Sequence, residues 1–267
     1  MSAEDLLAAG ELEPAIAAQI DVVKRRPTDA DARYLLFALL CFAGEWKRAV
    51  RQLDALSVQD EKIQAGSLVY RHLLASELDR EAVFQGEGRP LLPDDPPEHV
   101  TRRLAALDQV LAGDFQGAEA AIDEAVPGQP EVAGSLNGTP FVAVRDQDDL
   151  LGSVLEVFAG GRYLWLPFER LRKLEITAPG HLLDLLWLPA SLEDVDGTVA
   201  NVHVPSLYPQ TAAATEGVVR LGRRTDWLDL EGCLFRGQGQ RIIVHAAQDA
   251  EAEAIPISSV RQLEISG

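Results

Sequence analysis

Two tandem glycines, Gly160-Gly161, separate two apolar, aromatic-rich runs, Leu155-Glu156-Val157-Phe158 and Tyr163-Leu164-Trp165-Leu166. Both glycines accept the positive φ of a tight primed turn, so residues 155–166 must fold as a β-hairpin. Pro167 cannot donate a ladder hydrogen bond and ends the second strand. A short turn then leads into a third strand, 171–176. The end of the chain repeats this grammar. Aligned on Pro167 and Pro256, Leu171, Arg172, Leu174, Glu175 and Ile176 fall on Val260, Arg261, Leu263, Glu264 and Ile265. The pattern predicts one small β unit built twice.

The first half carries a different periodicity. Gly10-Glu11-Leu12, Gly44-Glu45-Trp46 and Gly113-Asp114-Phe115 each continue through two variable residues to an alanine, Ala15, Ala49 or Ala118. The first two begin 34 positions apart, the tetratricopeptide period, and the third lies 69 further on, close to two periods. The glycine permits a tight turn and the alanine lets helices approach. Helices are expected at 11–25, 31–43, 45–56 and 98–111, with 115–125 closing the array. One long helix or two are expected over 59–84, a degenerate repeat with Leu78 where the glycine should stand. Residues 86–97 read as a loop by composition.

The fold class is therefore α+β: a tetratricopeptide-like α-helical repeat domain at 1–128, a linker at 129–139, and a β-rich domain at 140–267 of small barrel-like or bent-sheet units. Within the last, strands are expected at 198–204, 216–222, 232–236 and 240–245. Seven or eight short strands in all would suit a small barrel or a bent sheet. Trp165, Trp187 and Trp227 are anchors by size. The cluster Asp146-Gln147-Asp148-Asp149 fails as a calcium loop, because Leu150 and Leu151 stand where a ligand and a glycine are needed. A solvated or partner-facing turn is expected there.

A net charge of −18 argues against nucleic acid and anionic membranes, which would repel the chain. Two cysteines, Cys41 and Cys233, form neither a disulfide framework nor a zinc site. The N-terminus lacks a basic signal region and no apolar run reaches the ~18 residues of a membrane span, so a cytoplasmic protein is expected. The five histidines are scattered. There is no HxxxH, CxxC, GxSxG, Walker A or GxGxxG. No metal, cofactor or catalytic constellation is expected, and the chain reads as a non-enzyme.

Several blocks resemble the ImpE family, also called TagJ. They are Asn137-Gly138-Thr139-Pro140-Phe141, Arg145-Asp146-Gln147-Asp148-Asp149, Leu155-Glu156-Val157, the run 161–172, Asp184-Leu185-Leu186-Trp187 and Leu207-Tyr208-Pro209. Later blocks, 221–227 and Gly237-Gln238-Gly239-Gln240-Arg241, and the early Leu40-Cys41-Phe42-Ala43-Gly44-Glu45-Trp46, are similar as well. In the hairpin, Arg162 stands between Gly161 and Tyr163, a departure from the family's Gly-Tyr pair. The resemblance implies an accessory component of bacterial type VI secretion. It further implies that the chain binds the N-terminal helix of the sheath protein TssB and is connected to the disassembly ATPase ClpV. No catalytic residues carry over.

Three functions are weighed. The leading one is an adaptor that buries the apolar side of an amphipathic helix, in the repeat groove or on the β domain. Groove-facing offsets of the second repeat name Tyr34, Ala38, Cys41 and Phe42, whose alternative role is core. Glu169 and Arg170 are the candidates on the β domain, beside Trp165 and Phe168, which are expected in the core. The second is a scaffold module of a larger assembly without helix binding. The third is an enzyme, for which a deep polar pocket would have to gather Arg145, Asp146, His203 or Arg223.

Overall fold

The computed structural model describes residues 1–57, 61–248 and 250–266. Among them, seven α-helices come first: α1 (Ala3–Ala8), α2 (Leu12–Arg25), α3 (Ala30–Phe42), α4 (Trp46–Ser57), α5 (Glu61–Phe84), α6 (Glu98–Ala112) and α7 (Phe115–Ala125). The expectation that a helix begins at Gln59 falls on residues outside those described. Each glycine–acid pair closes a helix in the same way. Gly10, Gly44 and Gly113 take φ of +82°, +68° and +78°. The amide of the following acid then reaches back five residues: Glu11 to Leu6, Glu45 to Leu40, and Asp114 to Gln109, each at 2.9 Å. This is the Schellman closure, which needs a left-handed residue. Ala15, Ala49 and Ala118 are all fully buried where the next helix crosses. A fourth copy went unread. Gly86 has φ +81° and the Glu87 amide bonds the Ala82 carbonyl, ending α5 in the same motif. Its signature is cut short because a loop follows it instead of a helix.

The second half holds thirteen strands among the described residues: β1 (Gly134–Leu136), β2 (Thr139–Phe141), β3 (Ala143–Asp146), β4 (Val154–Ala159), β5 (Arg162–Pro167), β6 (Leu171–Ile176), β7 (Trp187–Asp194), β8 (Val199–Pro205), β9 (Thr225–Leu230), β10 (Leu234–Gly239), β11 (Ile242–Ala246), β12 (Glu253–Pro256) and β13 (Gln262–Ile265). They form an antiparallel eight-stranded sheet, β2-β1-β13-β6-β7-β8-β4-β5, a three-stranded sheet, β12-β11-β3, and the ribbon β10-β9. The chain is thus α+β, with helices first and antiparallel sheets after. Part of the excess is β1 to β3, only three or four residues long and too short to show alternation; β7, interrupted by Pro189, and β9, carrying Asp226 and Asp229, are further strands without a clean strand pattern. The strands β1 and β2 also reach into the segment read as linker.

The hairpin and its echo come out alike. Each copy runs strand, proline, one 3₁₀ turn, strand, with the turns at Phe168–Arg170 and Ile257–Ser259. Pro167 and Pro256 share backbone angles to within a few degrees (φ −59°, ψ 140° and φ −61°, ψ 137°). The two outgoing strands pair with each other: Leu174 faces Leu263, Lys173 faces Glu264, and Glu175 faces Gln262. That register is symmetric about the Leu174–Leu263 pair.

Alternation along β4 divides two cores. Val154 and Phe158 face the helices, with Tyr163, Trp165 and Trp187. Leu155 and Val157 face the other way, into a second core with Leu188, Val144 and Ile243 that joins the large sheet to the three-stranded one. A strand buried on both faces reads as a continuous apolar run. Trp165 and Phe168 are buried, as expected.

The segment read as a strand at 216–222 is instead a helical turn, α8 (Gly217–Arg220). Its β-branched Val218 and Val219 favour a strand, but tertiary contacts override them. A side chain at Gly217 would sit 2.1 Å from the Gly10 carbonyl oxygen, so the two backbones meet directly. The turn aims side chains at helix ends. Arg223 donates to the Ala8 carbonyl (2.8 Å), Arg220 to Ala43 (3.3 Å), and Gln210 to Phe84 (3.2 Å). These are the open carbonyls at the C-termini of α1, α3 and α5, where cations and donors are favoured. The sheet half thereby closes one end of the helical array.

Gly44→Ala and Gly113→Ala separate the two costs of replacing such a glycine. Both force an L-residue into left-handed φ, at about 1–2 kcal/mol. At Gly44 the new methyl would also lie 2.6 Å from Ala212 Cβ, whereas nothing lies within 4 Å at Gly113. Urea denaturation should show Gly44→Ala as the more destabilising by about 1–3 kcal/mol. Equal losses would mean that the helix ends do not press on the 210–223 segment.

Candidate functional site at the seam between helices and sheets

Helix α5 lays Ser76, Glu77 and Arg80 along one face, at the spacing that stacks side chains one turn apart. That face meets β4 and β5, and Ser76 Oγ bonds the Arg162 carbonyl. Arg80 grips Glu156 with two parallel bonds of 2.7 Å and donates a third, 2.8 Å, to the Leu207 carbonyl. On the other side of Glu156 stands Arg241, its Nη1 3.2 Å from Oε2. Arg241 continues to Asp146 (2.7 Å and 3.0 Å), which also receives the Tyr208 hydroxyl at 2.9 Å. Next to it, Asp148 accepts Arg236 Nε at 2.8 Å and the amides of Gly237, Leu150 and Leu151. Tyr163 donates to Glu156, and Trp165 to Tyr163.

Asp146, Asp148, Glu156 and Arg241 are wholly inaccessible to solvent. The acidic cluster is therefore not the solvated turn expected from sequence. Its carboxylates are turned inward, where Arg236 and Arg241, 88 and 95 positions later in the chain, neutralise them. Burial pushes the Glu156 carboxyl up, but the Arg80 and Arg241 guanidiniums overcome that and hold it below the ordinary range. Glu77 has weaker help and is raised by burial. Burial likewise pushes Asp146 up to about 6, against the pull of Arg241. The Gly237-Gln238-Gly239 block has a steric meaning here. A side chain at Gly237 would sit 2.2 Å from the Tyr208 ring, so glycine lets that tyrosine reach Asp146.

A second cluster pins α6 to the sheets. His99 lies between Ser153 Oγ (3.0 Å from Nδ1) and Glu169 Oε1 on the Phe168–Arg170 turn. Arg103 Nε donates to Ser153 at 2.7 Å. Serine, histidine and glutamate in line invite comparison with a hydrolytic triad. Ser153, however, is only 1% exposed, and its hydroxyl already takes the arginine. A substrate has no route to it.

The residues marked from sequence fall in separate places. Ala38, Cys41 and Phe42 are packed in the core of α3. Tyr34 is half-buried, with its hydroxyl 3.1 Å from that of Tyr70. Glu169 binds His99, and Arg170 pairs with Asp196 at 3.0 Å. Arg145, Asp146, His203 and Arg223 do not converge: Arg145 pairs with Asp149, Asp146 is sealed in the network, and Arg223 caps α1. Among the described residues, no cluster of His, Cys, Asp and Glu can hold a metal ion, and no helix is long and apolar enough to cross a membrane. Two of the hollows along α5 are shared with the sheet half. A cavity of about 410 Å³ opens between the α3–α4 turn, the end of α5 and residues 207–213. A groove of about 260 Å³ runs between Val69, Tyr70 and Leu73 on one wall and Leu183, Trp187 and His203 on the other.

Sequence reading missed Glu77 and Arg80, which resemble ordinary surface charges of a helix. It passed over a usable signal at Glu156. A lone carboxylate inside Val-Leu-Glu-Val-Phe must find a cation, because an unpaired buried charge is very costly.

The buried acids make stability depend on pH in a way that isolates Asp146. Its folded-state pKa near 6 lies above the ordinary 3.8. Its contribution is then full below about pH 4 and is lost as pH rises through 6. Comparing wild type with Asp146→Asn cancels the groups outside this network. The difference in unfolding free energy, wild type minus variant, should fall by roughly 2 kcal/mol from pH 4 to pH 7. A flat or rising difference in urea titrations would contradict the assignment.

Comparison with known proteins bears on the seam directly. A family model described as ImpE protein matches residues 138–264, the stretch holding Asp146, Asp148, Glu156, Tyr208, Arg236 and Arg241. The type VI secretion system accessory component TagJ of Pseudomonas aeruginosa is 37% identical over 229 residues, 86% of this chain and 82% of that protein. The crystal structure of protein VPA1032 from Vibrio parahaemolyticus superposes with a TM-score of 0.90 at 25% identity, over 99% of this chain and 97% of that one. With that identity spanning both the helices and the sheets, the chain belongs to the ImpE family, the family of TagJ.

Proposed function

We propose that the chain is a non-enzymatic accessory component of a bacterial type VI secretion system, acting in the cytoplasm as an adaptor. In this reading it captures the N-terminal helix of the sheath protein TssB and so bears on sheath disassembly by ClpV. Kinship with TagJ supports the secretion role. The partner and its helix rest on what the family resemblance implies.

One observation carries the adaptor reading: the apolar groove beside α5. Val69 is 47% exposed on α5 and lines the groove with Tyr70 and Leu73, and Leu183, Asp184, Trp187 and His203 form the facing wall. Large apolar groups left in water along a groove suit the apolar face of an amphipathic helix. The strongly acidic surface favours a helix whose outer face is basic. Tyr34 is held to Tyr70, which lines the groove, while Ala38, Cys41 and Phe42 are buried in the helical core. The helical half acts as a tetratricopeptide-like support in this reading. Glu169 and Arg170 remain a separate candidate surface.

Fluorescence anisotropy of a labelled TssB N-terminal-helix peptide tests this on the full chain. The peptide should bind saturably, and Val69→Glu should weaken it at least about tenfold, since that side chain already faces solvent and the fold tolerates the change. If the wild-type chain fails to bind, the scaffold reading takes its place. If the variant binds as well as wild type, the helix sits elsewhere.

A further inference from the structure

The cavity between the α3–α4 turn, the end of α5 and residues 207–213, at about 410 Å³, has the volume of a small-molecule site and is separate from the groove of the adaptor reading. Phe42, Trp46, Phe84 and Leu186 supply apolar wall, and Glu77 and Arg80 form a charged floor. The floor is one end of a continuous ion chain. Glu77 lies 3.7 Å from Arg80, Arg80 2.7 Å from Glu156, Arg241 3.2 Å from Glu156 and 2.7 Å from Asp146. The chain alternates in sign and ends on a carboxylate at both ends. At the Asp146 end the spare capacity is filled by the Tyr208 hydroxyl and the Asp148 amide.

The Glu77 end is open. Its Oε1 takes the Trp187 indole N–H at 2.8 Å. Among the described residues, Oε2 has Arg80 Nη1 at 3.7 Å as its partner, beyond hydrogen-bond reach. Arg80 is fixed by its paired bonds to Glu156 and cannot swing closer. Glu77 is nevertheless only 8% exposed, and it borders the cavity. Glu81 adds a second carboxylate to the lining. An anion would be repelled there, and a neutral ligand would leave Glu77 with only Arg80, which it shares with Glu156, as counter-charge.

We propose that this cavity binds an organic cation, an ammonium group on an apolar body, with the ammonium donating to Glu77 Oε2 and the body lying against Phe42, Trp46 and Phe84. Phe84 already carries the Arg236 guanidinium 5.4 Å from its ring centre, so Trp46 is the wall whose ring adds attraction for a cation. The same chemistry can be presented by a free amine or by a lysine side chain of another protein.

Isothermal titration of the full chain at pH 8 tests the proposal with phenethylamine, the neutral isostere 2-phenylethanol, and N-acetyl-lysine methylamide. Phenethylamine should bind saturably and at least about tenfold more tightly than the alcohol, the scale of a charge-assisted hydrogen bond. Glu77→Gln keeps an acceptor for Trp187 and should abolish that preference. If the lysine derivative binds as tightly as phenethylamine or tighter, the source is a protein side chain; if it binds more weakly, the source is a free amine. The proposal is overturned if neither amine binds, if amine and alcohol bind wild type alike, or if Glu77→Gln retains the preference. Should that variant fail to fold, the amine-against-alcohol comparison on wild type decides alone.

Discussion

The Glu156 carboxylate, held between two guanidiniums in a site closed to water, is the interaction on which the rest of this structure depends. Arg80 comes from α5, Glu156 from the middle of β4, and Arg241 from the residue before β11. Three distant parts of the chain are fixed by one group. The arrangement is not a strong source of net stability, because removing three charges from water costs nearly what their attraction returns. What it enforces is registration. Any slip of α5 along the sheet, or of β11 against β4, would strand a buried charge, and losing one partner of such a pair costs about 3–5 kcal/mol. An apolar seam would tolerate sliding by a residue or two.

From that centre the network spreads by satisfying what each member leaves over. Asp146 takes the second edge of Arg241, Tyr208 takes the second oxygen of Asp146, and Gly237 leaves room for the Tyr208 ring. The sequence blocks that seem scattered, Arg-Asp-x-Asp-Asp, Leu-Glu-Val, Tyr-x-Trp, Leu-Tyr-Pro and Gly-x-Gly-x-Arg, are in space one connected set of hydrogen bonds. The family match at 138–264 covers nearly all of this set yet omits Arg80, the guanidinium that Glu156 holds most closely. The sheet half is electrically incomplete without α5. That need, together with the capping of α1, α3 and α5 by Arg223, Arg220 and Gln210, makes the helices and the sheets partners in one fold.

What could be read from sequence was what local chemistry decides. The turns at Gly10, Gly44 and Gly113 are closed by bonds spanning five residues, so the residues that make them lie side by side in the text. The Gly160-Gly161 hairpin and the prolines that end its strand are equally local. Three things escaped, each for a non-local reason. The helical turn α8 is imposed by contact with Gly10 against the preference of Val218 and Val219. The cluster at 146–149 looks solvated until Arg236 and Arg241 arrive from almost a hundred residues away. Glu77 and Arg80 carry no mark of burial, since a helix places charges at i and i+3 on its wet face as readily as on its dry one. Of the residues singled out as partner contacts, Cys41 and Phe42 were chosen for their offset in a repeat. The packing that follows from their apolar character puts them in the core, where both also border the cavity.

Trp187 connects the two hollows along α5. One face of its indole lines the groove with Val69 and Tyr70, and its N–H bonds Glu77 at the floor of the cavity. A helix seated in the groove would press on the ring whose nitrogen orients Glu77. A cation on Glu77 Oε2 would in turn pull on the carboxylate whose other oxygen this nitrogen holds, and so act on the wall the helix meets. Linkage makes such an effect reciprocal: whatever factor one occupant imposes on the other's affinity is imposed in return. The size of that factor depends on whether Trp187 has a second rotamer within reach. The close packing of its surroundings, with Trp187 only 1% exposed, argues for a stiff wall and a small coupling. On this geometry the two sites behave as neighbours with a shared partition, and the ion chain behind Glu77 is what keeps the partition in place.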